Sequence, residues 1–337
     1  MRASKAFFAN ASWRSALVIA VALAACSRES AAPSPVPAPS TATATSTSTS
    51  TSSATTTSTS TASNPAYLTA PALSAKAIGT TSLVFKLKLE GDLTCAFKPR
   101  SRRFLGGTRY KSEIAAYRIA RALGIDNVPV ALPRSFDVAT LRALLAKGPD
   151  GAKADELLVD PDGLVRGALL PWQRRDRFDI DLEPNRARWV EWLTSKTPSI
   201  PEKDVAIARQ ISTMLLFDYF TANWDRFSGD NVGIDRATNT VLFVDNDGAF
   251  YETPDIARLA DQLGLLRRVN RFSRRFVAAL RALGRHAIED AAGEEAPGVP
   301  VLSKKLVDAA EERRLKLLGI IDAKIAKDGE ASVLWFE

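Results

Sequence analysis

The chain has 337 residues, 45 Lys and Arg against 38 Asp and Glu, a net charge of +7, two cysteines and one histidine. A single histidine excludes a His-rich zinc centre and confines any Ser-His-Asp or Cys-His hydrolase to His286, which reads more simply as a cation at a helix carboxyl end. The basic balance suits nucleic acid, an anionic membrane or an acidic substrate, but no zinc-finger, RNA-recognition or helix-turn-helix pattern supports the first.

At the amino terminus Arg2, Lys5 and Arg14 precede a short apolar run, 16–25, ending Leu23-Ala24-Ala25-Cys26. Charged n-region, short h-region and small residues make this an export signal over 1–25, and its end resembles the bacterial lipoprotein signal. That resemblance implies cleavage before Cys26, acylation of Cys26 and a place in a bacterial cell envelope, with the outer membrane favoured because Ser27 follows. Residues 26–64 are almost wholly Ser, Thr, Ala and Pro, with nothing to build a core, and read as a disordered tether. Cys95 is then left without an intramolecular partner and reads as a buried small hydrophobe, so no disulfide framework holds the body, 65–337.

In the body, Leu83–Leu89 alternates apolar and basic residues as a half-buried strand does, and a turn at 90–92 leads into a second strand ending Phe97-Lys98-Pro99. A helix over 111–123 follows, with Gly124 placed as a carboxyl cap. At 100° per residue Lys111, Arg118 and Arg121 form its solvent stripe, while Glu113 falls on the Ala116–Ala120 face. A carboxylate buried there needs a partner, for which Lys98 is the candidate; Glu113 in the first helical turn also complements the helix dipole. Residues 137–162 read as an insertion with a helix over 138–147. Leu164 to Trp172 reads as a strand running into a linker, and a further short helix spans 186–193.

Pro201, Glu202 and Asp204 open a helix that buries Val205, Ala208, Ile211, Leu215 and Tyr219 and delivers Asp225 at its end. A polar turn carries Asp225, Asp230 and Asn231; a short strand, 241–244, then places Asp245 before a second turn. Phosphoryl transfer asks for this set. It needs a carboxylate to orient an acceptor hydroxyl, Asp225, and oxygen ligands for Mg²⁺, Asp245 with Asn231 or its rival Asp230. The competing reading is that Asp225, Asp230 and Asp247 are ordinary turn formers. Beyond the site, 265–283 reads as one amphipathic helix with a solvated arginine face, or a dock for an acidic protein or anionic lipid. A last helix over 303–326 packs on the body, with the 333–336 end tucked into it.

The run FDYFTANWDRFSGDN followed by LFVDNDGAF resembles the catalytic segment of the secretory-pathway kinases, the Golgi casein kinase and four-jointed group, itself similar to the HipA kinases and the phosphatidylinositol 3- and 4-kinases. CAFKPRS and YKSEIAAYRIARALGIDNVPVALPRS extend the resemblance upstream. Two positions depart from the family: its His is Phe227 here, and Asn231 lies one residue further from Asp225 than in protein kinases generally. The resemblance implies a catalytic Asp225, a metal-binding Asp245, Lys98 as the phosphate-binding lysine paired with Glu113, Gly79 and Thr80 in the phosphate-covering loop, and Leu170 and Trp172 lining an adenine pocket.

The expected fold is therefore α+β and bilobal, kinase-like, with a β-rich amino lobe bearing one helix over about 65–170 and a mainly helical lobe over about 171–337. The expected activity is an ATP- and Mg- or Mn-dependent transfer of phosphate to a hydroxyl of protein Ser/Thr or glycan, with no nucleic-acid partner. The alternative is a catalytically silent pseudokinase lipoprotein serving as an envelope binding module.

Overall fold

The computed structural model describes residues 66–79, 82–103, 107–197 and 199–337; the export signal, the tether, Cys26 and Thr80 lie outside these. After one helical turn, α1 (Ala66–Thr69), come β1 (Ala72–Ala77), β2 (Phe85–Leu89), β3 (Leu93–Pro99), helix α2 (Arg109–Ala122), β4 (Leu132–Asp137), helix α3 (Val138–Ala146), a 3-10 turn (Gly151–Glu156) and β5 (Leu164–Pro171). The five strands form one antiparallel sheet in the order β1-β2-β3-β5-β4. Strand periodicity then sorts the side chains. Phe85, Leu87, Cys95, Phe97 and Leu169 turn to one face, where Leu141 and Leu145 of α3 and Leu157 cover them. The segment 137–162, with its expected helix as α3, forms the outer cover of the sheet, tied on by the Ala77 amide to Asp150 (2.9 Å) and by the Ser101–Leu157 bridge.

Ala96, Lys98, Ala168 and Leu170 turn to the opposite face, under α2, so the alternation that buries Phe97 sends its neighbour Lys98 toward Glu113. Ile114, Ala116, Ile119 and Ala120 of α2 are fully buried, and Gly124, in the left-handed region at φ 69°, ends the helix as expected of a glycine there.

The carboxyl half contains β6 (Asp176–Arg177), α4 (Asn185–Thr194), α5 (Glu202–Thr221), β7 (Val232–Asp235), β8 (Thr240–Phe243), α6 (Ile256–Arg268), α7 (Arg274–Ala282), α8 (Arg285–Ala292), a small hairpin of β9 (Glu294–Ala296) and β10 (Val299–Pro300), α9 (Lys304–Asp328) and α10 (Glu330–Val333). The run 265–283 is two helices, not one. Between α6 and α7 the backbone is claimed by neighbours: the Asn270 amide donates to Leu193, the Phe272 amide to Val333, and the Arg271 carbonyl accepts from Ser212. Ser273 then restarts the helix as a side-chain cap to Phe276. The arginine face is solvated as expected at Arg267, Arg268, Arg275 and Arg281, the last in an exposed pair with Asp322, and Arg274 pairs with exposed Glu330; only Arg271 is buried, against the Ser195 and Lys196 carbonyls. His286 stands in the first turn of α8 rather than at a helix carboxyl end. At the end of the chain Val333, Leu334 and Phe336 are buried as expected, whereas Trp335 is exposed.

Two of the three residues expected on the solvent stripe of α2 are instead its fastenings to the carboxyl half. Lys111 and Tyr110 both reach the Glu295 carboxylate, at 2.8 and 2.7 Å, and Arg118 donates to the carbonyls of Ala292 and Glu294 at 2.7 and 3.0 Å. Glu295→Ala should therefore cost about 1.5–3 kcal/mol, the scale of hydrogen bonds to a charged group. Hydrogen exchange should speed in the first turn of α2 while β2 and β3 stay protected.

Candidate active site

The Lys98 ammonium lies against three carboxylates: Glu113 at 2.5 Å, Asp245 at 2.6 Å and Asp247 at 3.2 Å. Asp247 also pairs with Arg109 and accepts from the Ser82 hydroxyl at 3.1 Å. Carboxylate oxygens of Glu113, Asp245 and Asp247 lie within 4.8 Å of one another. Burial alone would lower the Lys98 pKa, but Asp245, Glu113 and Asp247 outweigh it and hold the ammonium well above its ordinary value. Burial raises the Glu113 carboxyl despite Lys98. It would raise Asp245 too, but the charge of Lys98 and its hydrogen bond prevail, so Asp245 stays below the usual carboxylate range. Three carboxylates face two cations, so the cluster is anionic even before Asp225 is counted.

Local chain geometry delivers these groups. Helix α5 ends in Ala222 with left-handed backbone, φ 55°, which turns the chain sharply into Asn223-Trp224-Asp225. Asp245 and Phe250 also have positive φ, 56° and 53°; conformations of this kind cost about 1–3 kcal/mol each and persist where the surroundings fix them. The surroundings are explicit. The Asn246 amide donates to Glu113 at 3.1 Å, the Phe250 amide to Thr221 at 2.8 Å, and the Ser112 hydroxyl to the Ala249 carbonyl at 2.6 Å. Gly248 brings the two turns together: a Cβ there would meet Asn223 Oδ1 at 2.9 Å and the Asp225 Cβ at 3.1 Å.

Arg226, fully buried, is the hub. Its guanidinium pairs with Asp218 of α5 (2.9 Å) and donates to the Asn231 carbonyl (2.9 Å), the Val244 carbonyl (2.5 Å) and Asn246 Oδ1 (2.6 Å). Asp225, next to Arg226 in the chain, is half-buried. Burial and the charge of Asp245 raise its pKa against a hydrogen bond from Ser228.

The structure brings most of the expected residues to one place. Leu170, Trp172, Lys98, Glu113 and Asp245 line a cleft of about 200 Å³ whose walls are mainly apolar. Trp172 is 43% exposed, with the Lys86 ammonium 4.0 Å from its ring centre. Gly79 follows β1 in the β1–β2 connection, packed so closely on the Ser82 carbonyl that a side chain would clash. Asn231 is buried beside Asp225, its amide nitrogen donating to the Asp225 carbonyl at 2.8 Å. Its rival Asp230 is exposed and pairs with Arg177 at 3.2 Å, away from the cluster. Phe227, where the family has His, is also exposed and stacks on Trp189 with centroids 6.3 Å apart. Two members of the cluster are not among the expected site residues: Asp247, which the sequence offers only under the competing reading of turn formers, and Arg109. The signal for Arg109 was its spacing, one helical turn before Glu113 and hence on the same face.

An anionic set of hard oxygen donors at the back of an apolar cleft fits a divalent cation of the Mg²⁺ or Mn²⁺ type. No family model matches this sequence, and no curated protein matches it. Among solved structures the chain is similar to the Golgi casein kinase, both in its own crystal structure and in one with Mn/ADP bound. Each comparison has 17% identity and a TM-score of 0.57, covering 80% of this chain and 77% of that one. It is similar also to hydra Fam20 with sugar, at 17% identity and TM-score 0.57, covering 80% of this chain and 89% of that one. The likeness is one of fold: an antiparallel sheet flanked by helices, α2 on one face and α3 on the other where a single helix was expected, joined to a helical half.

Because Arg226 neutralises a buried carboxylate, Arg226→Met should cost about 3–5 kcal/mol, the scale for stranding one partner of a buried ion pair. Urea unfolding measures it. The double variant Arg226→Met/Asp218→Leu, which removes both charges, should regain much of that loss.

Proposed function

We propose that this chain is a phosphotransferase that moves the terminal phosphate of ATP, with Mg²⁺ or Mn²⁺, to a hydroxyl of a protein Ser/Thr or a glycan. The observation that carries the reading is the convergence of Lys98, Glu113 and Asp245 at the back of the Leu170–Trp172 cleft, with Asp225 held against the same turn across Gly248. Likeness in fold to a kinase whose structure holds Mn/ADP supports it.

In this reading Leu170 and Trp172 bracket the base, Gly79 and Thr80 cover the phosphates, and Glu113 aims Lys98 at them. Asp245 and Asn231 hold the metal, which supplies charge neutralisation for the phosphates when bound. Asp225 takes the proton of the acceptor hydroxyl. Its raised pKa, set first by burial and then by Asp245, suits a base.

Asp225 and Asp245 then have separable duties. Asp245→Ala should weaken metal-dependent nucleotide binding as well as turnover. Asp225→Ala should leave nucleotide affinity near wild type while turnover falls about a hundredfold or more, the scale of a general base. Calorimetry with and without Mn²⁺, beside an ATP-consumption assay and mass spectrometry of acceptors, reads both. A wild-type chain that binds no nucleotide at any metal concentration would sink the reading in favour of a silent binding module.

The same proposal places the protein in a bacterial envelope through acylated Cys26, on the strength of Leu23-Ala24-Ala25-Cys26. Metabolic labelling with a fatty acid should mark the wild type and not Cys26→Ser. Unprocessed, unlabelled wild-type protein would contradict the anchor.

A further inference from the structure

Lys98 is surrounded by carboxylates, but the second cation of the cluster has donors to spare. Arg109 is about nine-tenths buried and spends one terminal nitrogen on Asp247, while its Nε has no partner among the described residues. Tyr251 has a buried hydroxyl in the same condition. This hydroxyl sits in the field of both turns. Burial pushes its pKa up to about 12, Arg109 opposes, and Asp247, Asp225 and Asp245 add to the rise, so the hydroxyl keeps its proton and can donate a hydrogen bond. Its ring stacks on Trp224, the residue before Asp225, at 6.3 Å. The Ser112–Ala249 hydrogen bond, at 2.6 Å, holds the first turn of α2 down on this segment. A buried donor left unpaired costs about 1–3 kcal/mol. Two such donors beside one acidic turn describe a place made for oxygen atoms that the chain does not itself provide.

We propose that Arg109, assisted by Tyr251, binds the oxygens of the phosphoryl group in transfer, and that Asp247 occupies the guanidinium until that group arrives. The inference rests on the phosphotransferase reading. In the step concerned, the bond between the acceptor oxygen and phosphorus forms as the bond from phosphorus to the leaving diphosphate oxygen breaks, and the acceptor proton passes to Asp225. Charge gathers on the three remaining phosphoryl oxygens, and a planar guanidinium can meet two of them at once, which an ammonium cannot. Division of labour follows: Lys98, fixed by Glu113, serves the phosphates that stay with the nucleotide, and Arg109 serves the one that leaves.

The test compares ligands that differ only at that phosphate. In the full chain with Mn²⁺, the affinities of ADP, ATP and ADP with aluminium fluoride are measured by calorimetry for wild type, Arg109→Met, Arg109→Lys and Tyr251→Phe. Arg109→Met should bind ADP about as wild type does and lose about a hundredfold or more for ADP–aluminium fluoride, the scale of one transition-state donor. Arg109→Lys should recover only part of that loss, and Tyr251→Phe should lose about tenfold. Equal fluoride-complex affinity in wild type and Arg109→Met overturns the proposal, as does a matching loss for ADP, which would make Arg109 a general nucleotide contact. If Arg109→Met does not fold, Arg109→Lys carries the same comparison. Wild type binding ADP but not discriminating at Arg109 refutes this inference alone; wild type binding no nucleotide refutes the underlying reading as well.

Discussion

A fully buried guanidinium holds the site in register. Arg226 satisfies its charge with Asp218, one turn from the end of α5, and spends its remaining donors on the backbone of Asn231, the backbone of Val244 and the side chain of Asn246. Those four attachments lie on a helix and on both polar turns. Asp225 and Asp245, twenty residues apart in sequence, are thus referred to a single rigid group. A buried arginine is tolerable only when nearly every donor is matched, since desolvation is costly. That requirement explains why the segment is dense in Asp and Asn where a plain pair of turns would need few.

The acidic cluster obeys a different rule. Carboxylates packed this closely repel, and Lys98 with Arg109 balances them only in part, leaving an excess of negative charge beside an apolar cleft. Such a charge excess is unfavourable for folding and useful for capture of a hard cation. The positive φ of Asp245 belongs to the same trade, since left-handed backbone for an Asp is affordable where Lys98, Arg226 and neighbouring amides over-determine its position.

Much of this was legible because it is written in short periods. Alternation in 83–89 and the turn at 90–92 put Lys98 at the end of a second strand, helical spacing placed Glu113 opposite the Lys111 stripe, and the order of apolar helix, polar turn, strand and second turn located Asp225 and Asp245. What the pattern could not show depends on segments far apart in the chain. Asp247 looks like any turn former until Arg109, Lys98 and Ser82 are folded around it. Residues 265–283 keep helical spacing throughout, and only the claims of Leu193, Ser212 and Val333 on the backbone break them into two helices. Lys111 and Arg118 read as solvated because the hairpin that receives them lies about 180 residues downstream. Asp230 and Asn231 are adjacent, and distant partners separate their fates: Arg177 pairs with Asp230, while Arg226 and the Asp225 carbonyl hold Asn231 inward.

That distant hairpin changes how the molecule must come apart. Helix α2 lies between β3 and β4 in sequence and packs on the sheet's inner face, yet Glu295, Ala292 and Glu294 grip it from the other half, and Ser112 ties it to the 245–251 segment. Neither half can lose its structure without stripping partners from a helix the other half needs. The sheet and the helices should therefore unfold in one cooperative transition rather than in two melting steps.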